Sequence, residues 1–304
     1  MLRVRPPVLA LEMCVFRPKP RSRPTAIVAL LLAAVALSGC GGDDSAGSSA
    51  TGTASSAAPG GPTLVKAGQL TTCTHLPYPP FQFERDNQVV GFDVDMIDLV
   101  ATALKVKQVV VDTPFETIKT GADLNAGKCD VAAAGMTITA ERKQNLDFSS
   151  PYFDATQALL AKKGSGITSL EAAKGKKFGS QASTTGEDYV RSKGFDPVSF
   201  ETSEAELNGL KSGQVAVIVQ DLPVVSGWLK DPANANLEIV ANLDTGEQYG
   251  FAVKKNGSPE LLAAINAAIA KVRADGTYDK LYAKWIGVKP PAAAAASPAA
   301  SSTG

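Results

Sequence analysis

From Leu70 onward this chain alternates short β-rich runs with amphipathic helical stretches, and no other feature limits its fold so strongly. Strands that alternate with helices build sheets covered on both faces, so the expected class is α/β. Residues 94–104 place Ile97, Val100, Ala101 and Leu104 on one helical face, and residues 107–111 read as the strand that follows. Residues 129–134 are short and apolar, which makes them a buried strand by length. Two more strands are expected over residues 176–180 and 215–219, the second continuous in Val, Ala and Ile as a doubly covered sheet requires. Ser258-Pro259-Glu260 then marks a helix start, and Leu262, Ile265, Ile269 and Val272 recur at helical spacing until Gly276. A last short helix carries Tyr278, Leu281, Tyr282 and Trp285, whose rings are expected to pack against the body.

The N-terminal stretch reads as an export signal. Arg17, Lys19, Arg21 and Arg23 supply a basic region, and residues 26–37 form an apolar run too short to span a bilayer permanently. Leu37-Ser38-Gly39-Cys40 has the form of a lipoprotein cleavage site, which makes Cys40 the expected lipidated N-terminus. Stable anchoring takes more than one acyl chain, and a lipidated cysteine supplies several. The expected organisation is a signal over 1–39, a Gly/Ser/Ala/Thr tether over 40–61, a globular body, and a disordered Pro/Ala/Ser tail over 289–304. The protein is expected at the extracytoplasmic face of the cell membrane, held there by lipid and monomeric.

Composition and motif content exclude several chemistries. Lys plus Arg equals Asp plus Glu at 30 each, so no overall field draws the chain towards nucleic acid. His75 is the single histidine, and no second Cys or His stands at metal-ligand spacing, so neither a zinc site nor a hydrolytic triad is expected. Gly175-Lys176-Lys177 lacks the Ser or Thr and the earlier glycine of a phosphate loop. No metal, cofactor or enzymatic activity is therefore expected. Cys14 leaves with the signal, and Cys73 and Cys129 remain as an even pair in an exported chain. They can form a disulfide or stay as two buried thiols, and the sequence leaves both open.

The body carries a series of separated motifs. Thr74-His75-Leu76-Pro77-Tyr78-Pro79-Pro80-Phe81-Gln82-Phe83 follows the first strand, and Gly91-Phe92-Asp93-Val94-Asp95 leads into the first helix. Gly135-Met136-Thr137-Ile138-Thr139 with Glu141-Arg142, Asp147-Phe148-Ser149-Ser150-Pro151-Tyr152, and Ser183-Thr184-Thr185-Gly186-Glu187 come next. Gln220-Asp221, Tyr249-Gly250-Phe251 and Asp275-Gly276-Thr277-Tyr278 complete the order. In these motifs the chain resembles the family 3 extracellular solute-binding proteins, the polar amino acid receptors of ABC importers. The resemblance implies a two-lobed periplasmic-binding-protein-like fold of type II with two hinge crossovers. Lobe 1 is expected over 62–154 plus 248–288 and lobe 2 over 155–247.

A free amino acid is a zwitterion, so a site that strips its water must offer a cation to the carboxylate and an anion to the ammonium. The resemblance implies Arg142 for the first, through its planar fork, and Asp221 for the second. Thr137 would add a hydroxyl and an N–H just before a helix expected to begin near Thr139, with the Gly135 carbonyl facing the ammonium. Thr184 and Thr185 would aim backbone amides from a helix start in the other lobe. Tyr78 and Phe115 match positions that sandwich the ligand side chain. His75, Gln181 and Gln220 match positions facing its distal end. His75 stands where relatives of this kind commonly carry Asp, which argues against a basic ligand and for a neutral polar or acidic amino acid. The same fold also serves lyases of the cyclohexadienyl dehydratase type and ligand-sensing domains. The pairing of Arg142 with Asp221 argues against the lyase, and the sequence after Trp285 reads as no further catalytic domain.

Overall fold

The computed structural model describes residues 61–288 and residue 290. The expected signal, the lipid site at Cys40, nearly all of the tether and nearly all of the tail lie outside the described residues. In chain order the first elements are β1 (Gln69–Thr74), β2 (Phe83–Arg85), β3 (Gln88–Val90), α1 (Phe92–Ala103), β4 (Lys107–Asp112), α2 (Phe115–Lys119) and α3 (Ala122–Asn125). They are followed by β5 (Val131–Ala132), α4 (Arg142–Asn145), β6 (Leu146–Phe148), β7 (Phe153–Asp154), β8 (Gln157–Lys162), β9 (Phe178–Gln181), α5 (Thr185–Ser192), β10 (Val198–Phe200) and α6 (Ser203–Ser212). The last are β11 (Val217–Asp221), α7 (Leu222–Trp228), β12 (Leu237–Leu243), β13 (Gln248–Tyr249), β14 (Ala252–Lys254), α8 (Pro259–Ala274) and α9 (Thr277–Ile286).

Two five-stranded sheets centre the two lobes of a type II α/β fold. The first has the order β4-β1-β5-β14-β6, with β4, β1 and β5 parallel and β14 antiparallel to both its neighbours. The second has the order β10-β9-β11-β8-β12, with β10, β9 and β11 parallel and β8 antiparallel to β11 and β12. The chain passes from the first sheet to the second through β7 and returns through β13. These crossovers pair antiparallel, Phe153 with Tyr249 and Asp154 with Gln248. The Ala155 amide donates to the Glu247 carbonyl at 2.9 Å, extending the ribbon by one more bond.

Local sequence accounts for most boundaries. The helix read from residue 94 begins at Phe92, because Gly91 brings the chain over the 80–82 turn at a φ of 144°. A Cβ at Gly91 would lie 2.0 Å from the Phe81 carbonyl oxygen, so only glycine fits. The strand expected over 215–219 lies at β11, two residues further on, and all five of its residues are buried. The strand expected over 129–134 is only two residues long. Backbone bonds to β1 continue on either side of it, from the Asp130 amide to the Thr71 carbonyl and from the Ala133 amide to the Cys73 carbonyl, and the Asp130 carboxylate accepts the Val65 and Thr71 amides at 2.6 and 2.8 Å. Helix α8 starts at Pro259 as read, but it buries Leu261 with Ile265, Ile269 and Val272, leaving Leu262 half-buried.

The core of the first lobe reaches the crossovers as an aromatic cluster. Tyr152 stacks on Phe251 with centroids 4.0 Å apart, and Phe81 meets Phe153 edge-on at 4.9 Å and Tyr249 at 5.1 Å. Each fully buried ring contributes about 1.5–3 kcal/mol. Tyr278 and Tyr282 of α9 join the cluster, as expected for that helix. Cys73 of β1 and Cys129 are bonded, with Cα atoms 5.6 Å apart across 56 residues of chain. This resolves the two alternatives left by the sequence in favour of the disulfide. It ties β1 to the turn that precedes β5.

Candidate functional site

The ends of β1, β5, β9 and β11 face each other across the two lobes, where α/β sheets place their binding groups. One cavity lies between them, lined by His75, Tyr78, Gln82, Phe115, Ala134, Gly135, Thr137, Arg142, Gln181, Thr184, Thr185 and Asp221. Its free space is about 20 Å³, little more than one water molecule needs. Hydrogen bonds cross between the lobes around it, from His75 to the Glu201 carbonyl, from Tyr78 to Asp221 and from Arg142 to the Ser183 carbonyl, so the lobes are closed on each other. A larger groove of about 560 Å³, lined by Pro77, Trp228 and Trp285 among others, lies elsewhere between the lobes and includes neither Arg142 nor Asp221.

Arg142 begins α4, preceded by a turn in which Thr139 Oγ1 accepts the Arg142 amide at 3.1 Å. The helix expected near Thr139 therefore starts three residues later. The buried guanidinium donates to the Thr137 carbonyl at 2.8 Å and, across the cleft, to the Ser183 carbonyl at 3.4 Å. Its carbon lies 5.4 Å from the Phe115 ring centroid, which orients the plane. Burial lowers the Arg142 pKa, and the carboxylates of Asp188, Asp221, Glu247 and Glu141 act against that shift.

Asp221 closes β11 in the other lobe. Its carboxylate accepts the Tyr78 hydroxyl at 2.7 Å, the Tyr249 hydroxyl and the Gln157 side-chain amide. Burial, followed by the nearby Glu247 carboxylate, pushes Asp221 up to about 6, while the hydrogen bonds from Tyr249, Tyr78 and Gln157 hold it down. Burial and then the Asp221 charge raise Tyr78 well above the usual phenol range, so the phenol stays protonated and donates. Gln157 also donates to Glu247 at 2.7 Å, which joins the Asp221 network to the returning crossover.

The remaining expected residues divide between the cavity and its walls. His75 is buried with Nδ1 3.0 Å from the Thr113 carbonyl and Nε2 3.2 Å from the Glu201 carbonyl of the facing lobe. The Gly135 amide donates to Asp93 at 2.8 Å, and Tyr152 donates to the other oxygen of that carboxylate at 2.7 Å. Asp93 so fixes the turn that carries Gly135 and Thr137, and burial raises it to about 7. Thr137 Oγ1 and Thr185 Oγ1 lie 3.4 Å apart across the cleft. Thr184 caps α5 by accepting the Glu187 amide at 3.2 Å, while Thr185 is already the first helical residue.

Gln220 is the one expected residue that does not line the cavity. It stands behind Tyr78, whose hydroxyl lies 2.9 Å from its Oε1, and its Nε2 donates to Glu206 at 2.8 Å. Sequence reasoning passed over Gln82 and Ala134 in the lining and Gln157, Tyr249 and Glu247 around Asp221. Gln82 and Tyr249 lie inside motifs recognised as such, so their position was visible although their role was not. Gln157 is polar within the otherwise apolar buried strand β8, and a buried polar residue is the signal that could have found it.

Fold and cavity together define a two-lobed cleft protein that sets a cation from one lobe against an anion from the other. The chain belongs to the bacterial extracellular solute-binding proteins, family 3, whose model matches residues 70–288. It is 32% identical over 228 residues to the putative ABC transporter arginine-binding protein 2 of Escherichia coli (strain K12), covering 72% of this chain and 91% of that one. It is 36% identical over 203 residues to the ABC transporter glutamine-binding protein GlnH of Bacillus subtilis (strain 168), covering 66% and 73%. Among solved structures, an ancestral arginine-binding protein bound to glutamine superposes with a TM-score of 0.68 at 43% identity, covering 73% of this chain and all of that one. Its relatives are thus binding proteins of amino acid ABC transporters.

Proposed function

We propose that the protein is a lipid-anchored extracytoplasmic receptor that binds a polar amino acid, without converting it, and delivers it to the membrane subunits of an ABC importer. The observation that carries the reading is the placement of Arg142 and Asp221 in one closed cavity, each on a different lobe. Arg142 takes the α-carboxylate, and the amides at the start of α5 add donors from the opposite lobe. Asp221 takes the α-ammonium, with the Gly135 carbonyl as a further acceptor. Tyr78 and Phe115 flank the side chain.

A ligand that touches both lobes favours the closed state by its differential affinity, and the paired crossovers β7 and β13 are the hinge on which the lobes part. A few charge-assisted hydrogen bonds plus aromatic contact, set against association costs, correspond to micromolar affinity, about −8 kcal/mol. Asp221 is the single carboxylate in the lining, and it is committed to the α-ammonium, which supports a neutral polar side chain over a basic one. Lipidation at Cys40 would keep the receptor at the membrane where the importer sits.

A thermal-shift screen of the twenty amino acids, with mass spectrometry of each mixture, tests the reading. One or a few polar amino acids should raise the melting temperature and be recovered unchanged. Turnover of a prephenate-like acid, or no shift with any amino acid, would refute it.

A further inference from the structure

Among the described residues, several buried side-chain polar atoms have no hydrogen-bond partner, and only two of them belong to residues that line the cavity. These are Gln82 Oε1 and Gln181 Oε1. Both residues are nearly inaccessible, at 1% and 3% exposure. The Gln82 amide nitrogen donates to the His75 carbonyl at 3.4 Å, which leaves its oxygen as the unmatched end. Gln181 closes β9, so it faces the cleft from the lobe opposite Gln82. Two unmatched acceptors, one from each lobe, therefore stand in the walls of one small cavity.

Buried acceptors are normally paired, and a ligand that brings donors to them removes the penalty of leaving them dry. A carboxylate side chain offers only lone pairs and would face both oxygens acceptor to acceptor. An ammonium or guanidinium brings donors but also a second positive charge. The cavity holds Arg142 already, and its single carboxylate, Asp221, carries Tyr78, Tyr249 and Gln157 and faces the α-ammonium. A basic side chain would lie buried without a counter-charge. A hydroxyl donates only once. A primary carboxamide brings two N–H donors with no charge, and it meets another amide reciprocally, N–H to oxygen in both directions.

We infer that the ligand's side chain is a neutral carboxamide, so that the cognate ligand is of the glutamine and asparagine class and Gln82 and Gln181 are its specificity-determining residues. The inference rests on the amino acid receptor reading above and narrows it, because acidic and basic side chains are both excluded.

Isothermal titration of the full chain in mild detergent with glutamine, asparagine, glutamate, arginine and methionine tests it. Glutamine or asparagine should bind roughly a hundredfold or more tightly than the others, since a site built for hydrogen bonds rejects analogues that lack them. Tighter binding of glutamate, arginine or methionine would overturn the carboxamide assignment while leaving the receptor reading intact, whereas no binding of these five together with no thermal shift from any of the twenty amino acids would overturn both. Gln181→Leu and Gln82→Leu should each lower the glutamine-to-methionine affinity ratio by about tenfold or more. An unchanged ratio in both, in variants whose circular dichroism matches the parent, would also overturn it. The comparison of ligands on the unaltered protein does not depend on either variant folding.

Discussion

Replacing Asp221 by asparagine should make the unliganded protein more stable and a poorer receptor at once. Asp221 is fully enclosed, and its carboxyl is raised from 3.8 to about 6, chiefly by burial. Between those two values the folded state holds the proton more tightly than the unfolded chain does. Stability is then greatest at low pH and is lost as pH rises through that window. At about 1.36 kcal/mol per unit, the ionised carboxylate costs about 3 kcal/mol at pH 8. Asparagine resembles the protonated acid in shape and lack of charge, so Asp221→Asn should recover up to that amount at pH 8 and only about 0.5 kcal/mol at pH 4. For a body of this size that is a rise of roughly 6–12 °C in melting temperature. Calorimetry of both proteins at the two pH values, with amino acid titrations alongside, reads the two effects. An asparagine variant that is no more stable at pH 8, or whose gain is the same at pH 4, would refute the claim that the binding anion is held at a cost. Retained affinity would refute its role with the ammonium.

Arg142→Ala should lower amino acid affinity by about a hundredfold or more in titration calorimetry, from the loss of two charge-assisted bonds of about 1.5–3 kcal/mol each. Its unliganded melting temperature should stay within a few degrees, because relief of a buried charge offsets the lost bonds to Thr137 and Ser183, and a large drop would mean that the guanidinium is structural. Gly135→Ala puts a Cβ 2.9 Å from the Tyr78 ring at a φ of 54°, so it should lose about 1–2 kcal/mol of stability and most binding, measured by denaturant titration and thermal shift. Removing the disulfide with Cys73→Ser and Cys129→Ser should destabilise the fold by about 4 kcal/mol in the chain-entropy account, read as a lower denaturant midpoint.

Strand and helix identities were legible because they follow from local patterning. The continuous apolar run at β11 and the Pro259 start of α8 need no knowledge of the rest of the chain. Contacts between distant groups were not legible. At β1 and β5 the Asp130 carboxylate takes the amides of Val65 and Thr71, some sixty residues away in sequence, a pairing no local pattern reports. In the site, ten of the eleven expected ligand-binding residues line the cavity, most of them within the motifs that carry the resemblance. Gln220 does not, because its side chain turns to Glu206 and Tyr78, and no sequence spacing reports that choice.

The sequence by itself determined the α/β class, the paired cysteines as candidates for a bond, and the residue types able to hold a zwitterion, because each depends on composition or on neighbours along the chain. Only the tertiary structure decided that Arg142 and Asp221 face one cavity and that Tyr249, Gln157 and Glu247 crowd the acid. It also showed that two glutamine oxygens from separate lobes are left without donors. Those facts depend on groups brought together across two crossovers, and burial, which sets their charge states and their unmet hydrogen bonds, exists only once the lobes have folded and closed.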